Sequence, residues 1–349
     1  LGQREQALKA TEEAVTIYRE LAAERPDTFL PDLAMSLNNL GGDYSKLGQR
    51  EQALKATEEA VAIRRKLAVE RPDAFLPDLA SALNNLGGDY SKMGRREEAL
   101  KASEEAVAIY RELAAERPDA FLPDLAMTLN SLGRCFSDLG RREEALKTTG
   151  EAVAIYRELA AERPDAFLPD LSSALNNLGN HYSKLGRRDE ALEATEEAVS
   201  IYRELAAEHP DAFLPDLSSA LNNLGIRYSN LGRRKEALKA TEEAVAIYRE
   251  LAAERPDAFL PDLARSLGTL GLILQDGDPA AARDAFHEGC TMVLPFCLKL
   301  PKAFIDLTDF LIKQYISACD SADTPPDPEL MEQYQPILEM MKGKDDGND

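Results

Sequence analysis

The chain has 349 residues, 44% of them apolar, and a formal charge of −21 from 41 Lys and Arg against 62 Asp and Glu. So acidic a body repels phosphate, which argues against nucleic acid or anionic lipid as a partner and favours a basic one. No apolar run approaches the ~20 residues needed to span a bilayer, and no basic-then-apolar leader opens the chain, so the expected location is cytoplasmic.

An internal repeat overrides any domain count based on length. Leu-Gly recurs at Leu1, Leu47, Leu139, Leu185 and Leu231, with Met93 in the missing place, on a spacing of 46 residues. Arg-Pro-Asp keeps the same beat at Pro26, Pro72, Pro118, Pro164 and Pro256, and His209-Pro210 replaces it once. Leu-Pro-Asp follows at Pro31, Pro77, Pro123, Pro169, Pro215 and Pro261. Prolines so close together read as helix boundaries.

Each unit holds two predicted helices. The first runs from about Pro31 to Lys46, with Leu33, Leu37, Leu40, Tyr44 and Leu47 on one face. Pro31 and Asp32 suit a first helical turn, and Gly48 supplies the turn that ends it. The second runs from about Arg50 to Glu70. In the copy that starts at Arg234, its stripe is Ala237, Thr241, Ala244, Tyr248 and Leu251, opposite a solvated face of Glu, Lys and Arg. The connector between the two fits only an antiparallel hairpin. Gly41, Ala53 and Ala60 remove bulk from the shared face, so the helices can approach closely. One hairpin cannot bury its own stripe but stacked neighbours can, which predicts an all-α solenoid.

The chain starts inside a repeat, at a residue that is not Met, and reads as a fragment. Tandem repeats occupy 1–276, starting with a lone second helix. A register of 45 aligns Ala237 with Ala282 and Pro256 with Pro301, so 277–320 reads as a degenerate seventh hairpin. Its surface positions have turned apolar, among them Val293, Leu294, Leu298, Leu300, Phe310, Leu311 and Ile312. Residues 321–342 contain a last helix, which either caps the apolar end of the stack or docks a partner. Residues 343–349 read as a disordered tail.

The spacing of Leu37, Leu40-Gly41, Tyr44, Gly48, Ala53 and Ala60 resembles the tetratricopeptide repeat (TPR) signature. Three features depart from it. Leu37 stands where the family often has Trp. Thr57, Ser103, Thr149, Thr195 and Thr241 stand where a large aromatic is usual. The period is longer. Leu-Asn-Asn-Leu at Leu37–Leu40 and the long unit look like the kinesin-light-chain variety, and like long-period arrays attached to NTPase or caspase-like protease domains. The resemblance implies an α-α superhelix of right-handed sense, with the first helices lining a concave groove that holds a peptide or protein segment.

Two sets of columns then become candidate binding positions. One is nearly constant: Asn38, Asn84, Asn130, Asn176 and Asn222, beside Asn39, Asn85, Ser131, Asn177 and Asn223. An amide both donates and accepts, so it suits the backbone of an extended peptide; equally, the amides could bond one another in a ladder. The other set varies sharply: Gly42-Asp43, Gly88-Asp89, Arg134-Cys135, Asn180-His181, Ile226-Arg227 and Leu272-Ile273. Arg134 and Arg227 would offer charge to a partner carboxylate or phosphate, with Asn180 and His181 beside them; alternatively the column drifts on a solvated face. The Arg-Arg pairs at Arg95, Arg141, Arg187 and Arg233 are expected to pair with nearby Glu residues.

No nucleotide-binding glycine motif and no H-E-x-x-H is present. The three histidines lie in different units, and no two cysteines form a C-x-x-C pair, so neither a metal nor a cofactor is expected. A Cys135–His181 nucleophile pair lacks an acid or an oxyanion site. The expected function is a non-catalytic protein-interaction scaffold. The alternative is a sensor or autoinhibitory arm of a larger signalling NTPase or protease, in contact with N-terminal domains outside this fragment.

Overall fold

In the computed structural model, residues 2–345 are described; they form fifteen α-helices and no strand. They fall into two compact units, Leu1–Leu185 and Gly186–Asp349. The first contains α1 (Gly2–Glu24), α2 (Pro26–Lys46), α3 (Arg50–Glu70), α4 (Pro72–Lys92), α5 (Arg96–Glu116), α6 (Pro118–Asp138), α7 (Arg142–Glu162) and α8 (Pro164–Lys184). The second contains α9 (Arg188–Glu208), α10 (Pro210–Asn230), α11 (Arg234–Glu254), α12 (Pro256–Leu274), α13 (Pro279–Lys299), α14 (Pro301–Ser321) and α15 (Pro328–Asp345). The boundary between them falls within the regular array, upstream of residue 276, where the repeats begin to erode.

The first helix of each repeat is longer than its sequence suggests. Pro31, read as an opening residue, lies inside α2, which begins at Pro26. Pro26 occupies the first helical turn, where its missing N–H has no helical acceptor in any case. Pro31 removes only the bond that would reach the carbonyl of Asp27, an exposed position where water can take its place. One residue therefore joins α3 to α4: Arg71, at φ −141° and ψ 77°. Its N–H donates to Leu67 O at 2.9 Å, and its guanidinium lies 4.7 Å from the Phe75 ring centroid. Arg25, Arg117 and Arg163 repeat the arrangement on Phe29, Phe121 and Phe167.

Between the two helices of a hairpin the chain turns at Gly48, Gly94 and Gly140, each with φ near +73°. An L side chain there pays roughly 1–2 kcal/mol. Gly140→Ala is expected to destabilise the first unit by that amount in urea unfolding. A change indistinguishable from a surface substitution would show that the turn relaxes.

Burial follows the predicted stripes. Leu33, Leu37 and Leu40 are at most 7% exposed, and Ala237, Thr241 and Ala244 are fully buried. The glycine and alanine face brings the paired helices together: a Cβ on Gly87 would stand 2.7 Å from Ser103 Oγ and 3.3 Å from Ala99 O.

In the second unit the apolar residues of α13 and α14 make a single core. Phe286, Cys290, Val293, Leu294, Cys297, Leu311 and Ile312 are buried together with Leu330, Tyr334 and Ile337 of α15. Tyr334 donates to Asp309 Oδ1 at 3.1 Å, and His287 Nε2 lies 3.0 Å from Asp327 Oδ2, just ahead of α15. The last helix thus packs on part of the face that the eroded hairpin presents, while Leu298, Leu300 and Phe310 stay exposed. It runs to Asp345, into the stretch expected as a tail, and residues 346–349 lie outside the described ones. All four cysteines are buried and free.

Candidate functional site

The first unit carries an open groove of about 1380 Å³, walled mainly by the C-terminal halves of α2, α4, α6 and α8. These are the first helices of successive repeats. Small residues, Gly42 and Gly88, open its surface, and the amide columns run along it. Of the predicted residues, Asn38, Asn84, Arg134, Asn180 and His181 line it, whereas Asn130 and Asn176 do not. Asn222 and Arg227 belong to the second unit.

The amides make rungs between neighbouring first helices. Asn85 Nδ2 donates to Asn38 Oδ1 at 3.1 Å, and Asn177 Nδ2 to Asn130 Oδ1 at the same distance. The donor stands 47 positions after its acceptor. Asn84 Oδ1 and Asn222 Oδ1 are buried without a partner. The residues 47 positions on are Ser131 and Thr269, whose shorter side chains interrupt the ladder. Ladder and groove are thus one feature, since the bonded amides Asn38, Asn85 and Asn177 also line the groove.

The two variable columns differ: the first members Gly42, Arg134 and Leu272 are exposed, whereas the second members are not on a solvated face. Asp89, Cys135, His181, Arg227 and Ile273 are 4–7% exposed. Arg227 therefore does not present its charge to a partner, and the expectation that it does is corrected here; burial also pulls its pKa down. The cause lies 32 residues upstream, at the Thr column where the family usually has a large aromatic. Thr is small, and the next first helix fills the space. Thr11 Oγ1 donates to Asp43 at 2.9 Å, Thr57 Oγ1 to Asp89 at 2.8 Å, and Ser103 Oγ lies 3.6 Å from Cys135 Sγ. At the next beat Thr149 Oγ1 and both ring nitrogens of His181 have no partner. In the second unit Ile273 offers no acceptor, and Thr241 Oγ1 is unpartnered. Phe286 then restores the aromatic at this place, and Ala318, 32 residues on, is the small residue it requires; both are fully buried. The two columns, 32 residues apart, are thus one feature: the size of the earlier residue sets what the later one can be.

Cys135 and His181 do not form a nucleophile pair. The thiol lies against Ser103, burial pushes its pKa up, and His181 makes no bond to it. Among the described residues no group of three or more His, Cys, Asp or Glu could hold a metal, and no helix is long and apolar enough to cross a membrane.

The Arg-Arg pairs serve the array itself. Arg95, Arg141 and Arg233 each bond the Glu three residues on and lie 4.5 Å from an aromatic ring centroid. The arginine at the second position, which follows Gln49 in one copy and an arginine in the others, reaches the end of the next first helix: Arg50 donates to Lys92 O at 3.2 Å and Arg142 to Lys184 O at 3.0 Å. The groove's charged lining residues are Asp43, Asp89 and Asp138 against Lys46, Arg50, Lys92, Arg134 and Lys184. Cations outnumber carboxylates there, opposite to the body as a whole.

Family models for the tetratricopeptide repeat match residues 33–72, 78–158 and 170–250. A model for anaphase-promoting complex subunit 5 matches residues 1–42. No curated protein matches. Among solved structures, BtubC (BKLC) of P. vanneervenii is 24% identical over 71% of this chain and 92% of its own, with a TM-score of 0.57. The nearly identical kinesin-light-chain-type TPR-like repeats of Podosopora anserina are 26% identical over 63% of this chain and 96% of theirs, with a TM-score of 0.50. RapI in its apo form is 16% identical over 83% of this chain and 98% of its own, with a TM-score of 0.57.

Proposed function

Because the chain belongs to the tetratricopeptide repeat family, in its kinesin-light-chain-like form, a fold that serves as a protein-interaction scaffold, we propose that its first unit binds an extended segment of another protein in the groove. The observation that carries this reading is the set of amide rungs along a groove of polar and small residues. An amide bonded to one neighbour keeps further donor and acceptor capacity, which matches the alternating N–H and C=O of an extended backbone. Such recognition depends little on the ligand's side chains and requires no catalysis. Net charge pointed to a basic partner. The cation-rich lining instead favours a neutral or acidic segment, because a ligand responds to the field where it binds rather than to the sum over the molecule.

Asn85→Ala together with Asn177→Ala, the two rung donors that line the groove, is expected to weaken peptides selected from a displayed random library about tenfold, roughly one hydrogen bond's contribution per residue. Helicity by circular dichroism should not change. Unchanged affinity for every selected peptide would remove the amides from the binding reading.

A further inference from the structure

One junction of the second unit reverses the chemistry of the others. In the regular repeats the residues that lead into a first helix read as Glu254-Arg255-Pro256-Asp257 does, two acids against one base, with His209 replacing the arginine once. The arginine covers a ring: the Arg255 guanidinium lies 4.7 Å from the Phe259 centroid. Between α13 and α14 the matching residues are Lys299-Leu300-Pro301-Lys302, two bases and no acid. Leu300 takes the arginine's place and is 60% exposed, and Leu298 takes the place of Ala253 and is 49% exposed. Phe304, at the ring's place, packs edge-on against Phe296 at 5.8 Å instead of under a cation.

The last helix brings more of the same to this edge. It starts beside the start of α13, where His287 Nε2 is 3.0 Å from Asp327 Oδ2, and farther on Tyr334 bonds Asp309 of α14. It therefore runs alongside α13 toward the junction, and Leu338 borders the same core as Phe304. Near its end Met340 is 37% exposed, and its last turn carries Lys342 and Lys344. Four lysines thus stand at this edge against Asp306, Glu339 and Asp345, in a chain where acids outnumber bases by 21.

We infer that this edge, away from the groove of the first unit, docks an amphipathic helix of a partner protein. Its apolar stripe lies on Phe296, Leu298, Leu300 and Met340, and Asp and Glu beside the stripe face the lysines. Large apolar side chains clustered in water mark an interaction surface, whereas single ones do not. The edge offers side chains and no open strand, so the bound segment must satisfy its own backbone, as a helix does. Charge selects among the occupants. A second copy meeting edge to edge would set lysines against lysines, and a bilayer of anionic lipid would also face the acidic body beyond the edge. One acidic helix meets the edge alone, within the roughly 8 Å over which exposed charges act at physiological salt.

The test uses the full chain and a displayed library of peptides with apolar residues fixed at helical spacing and every other position random. Selected binders are compared on a variant in which Leu298→Ala, Lys299→Glu, Leu300→Arg and Lys302→Asp rebuild the regular junction. Circular dichroism and the thermal midpoint check that this variant folds. Should it unfold, Leu300→Arg alone, at the most exposed of the apolar positions, gives the same reading. Binders that lose about tenfold or more in affinity on the variant should appear, and they should be rich in Asp and Glu. Their affinity should fall between about 50 and about 500 mM NaCl, because salt screens exposed pairs. No junction-sensitive binder, junction-sensitive binders of neutral or basic composition, or affinity that rises with salt overturns the proposal. Two further results also overturn it, by giving the edge to another occupant. One is flotation of the native chain, but not the variant, with vesicles of phosphatidylserine and phosphatidylcholine. The other is a dimer in sedimentation that the variant dissolves.

Discussion

Phe286→Ala is expected to cost about 3–5 kcal/mol, the range for removing a fully buried aromatic ring. The ring is 0% exposed at the centre of the core shared by α13, α14 and α15. It also faces Gly271 so closely that a Cβ there would stand 2.6 Å from two ring atoms. Gly271→Ala is therefore an overpacking change, and in a core that cannot yield it costs about 1–3 kcal/mol. The two losses should not add, because removing the ring empties the space the new methyl needs. Urea unfolding gives the magnitudes, and hydrogen exchange of α12–α14 amides locates them. A double variant as unstable as the sum of the singles would show that ring and glycine do not share one packing site.

That pair shows what could be read from the sequence and what could not. The second helices were legible, Arg50–Glu70 among them, because a glycine that must adopt positive φ stands just ahead of the apolar stripe and a proline just beyond it. Pro31 was misread because the rule against proline inside helices concerns an interior carbonyl. Here the carbonyl belongs to an exposed first turn. The variable column was misread because exposure depends on the neighbouring helix: Thr57 leaves room and Asp89 fills it, while Phe286 leaves none and Ala318 yields. The information lay in the pairing of two columns, not in either alone. The groove was placed on the first helices by resemblance, and its lining was legible in Asn38, Asn84 and Arg134. Its charge was not legible, because the net charge is dominated by the glutamates of the exposed second-helix faces. Several of these are held in a ladder of pairs such as Arg111–Glu151 at 2.7 Å.

His181 makes the second large prediction. Its folded pKa is pushed down to about 4 from an ordinary 6.5 by burial, a difference of about 3 kcal/mol between the two protonation states. The unfolded chain binds the proton more readily, so this stability is fully present above the unfolded pKa and is lost as pH falls through the folded one. Asp124 and Asp170, whose pKa values burial raises, act in the opposite sense and blur the profile of the native chain alone. The contrast with His181→Leu isolates the ring: the native chain should lose up to about 3 kcal/mol relative to the variant between pH 7 and 4, the full single-site linkage. Parallel profiles would show that the ring is protonated at no cost. His181→Asp restores the arrangement of Thr57, Asp89 and Lys92, because Thr149 and Lys184 already occupy the matching positions. At neutral pH it should stabilise the first unit by about 1 kcal/mol, the net contribution of one regained hydrogen bond.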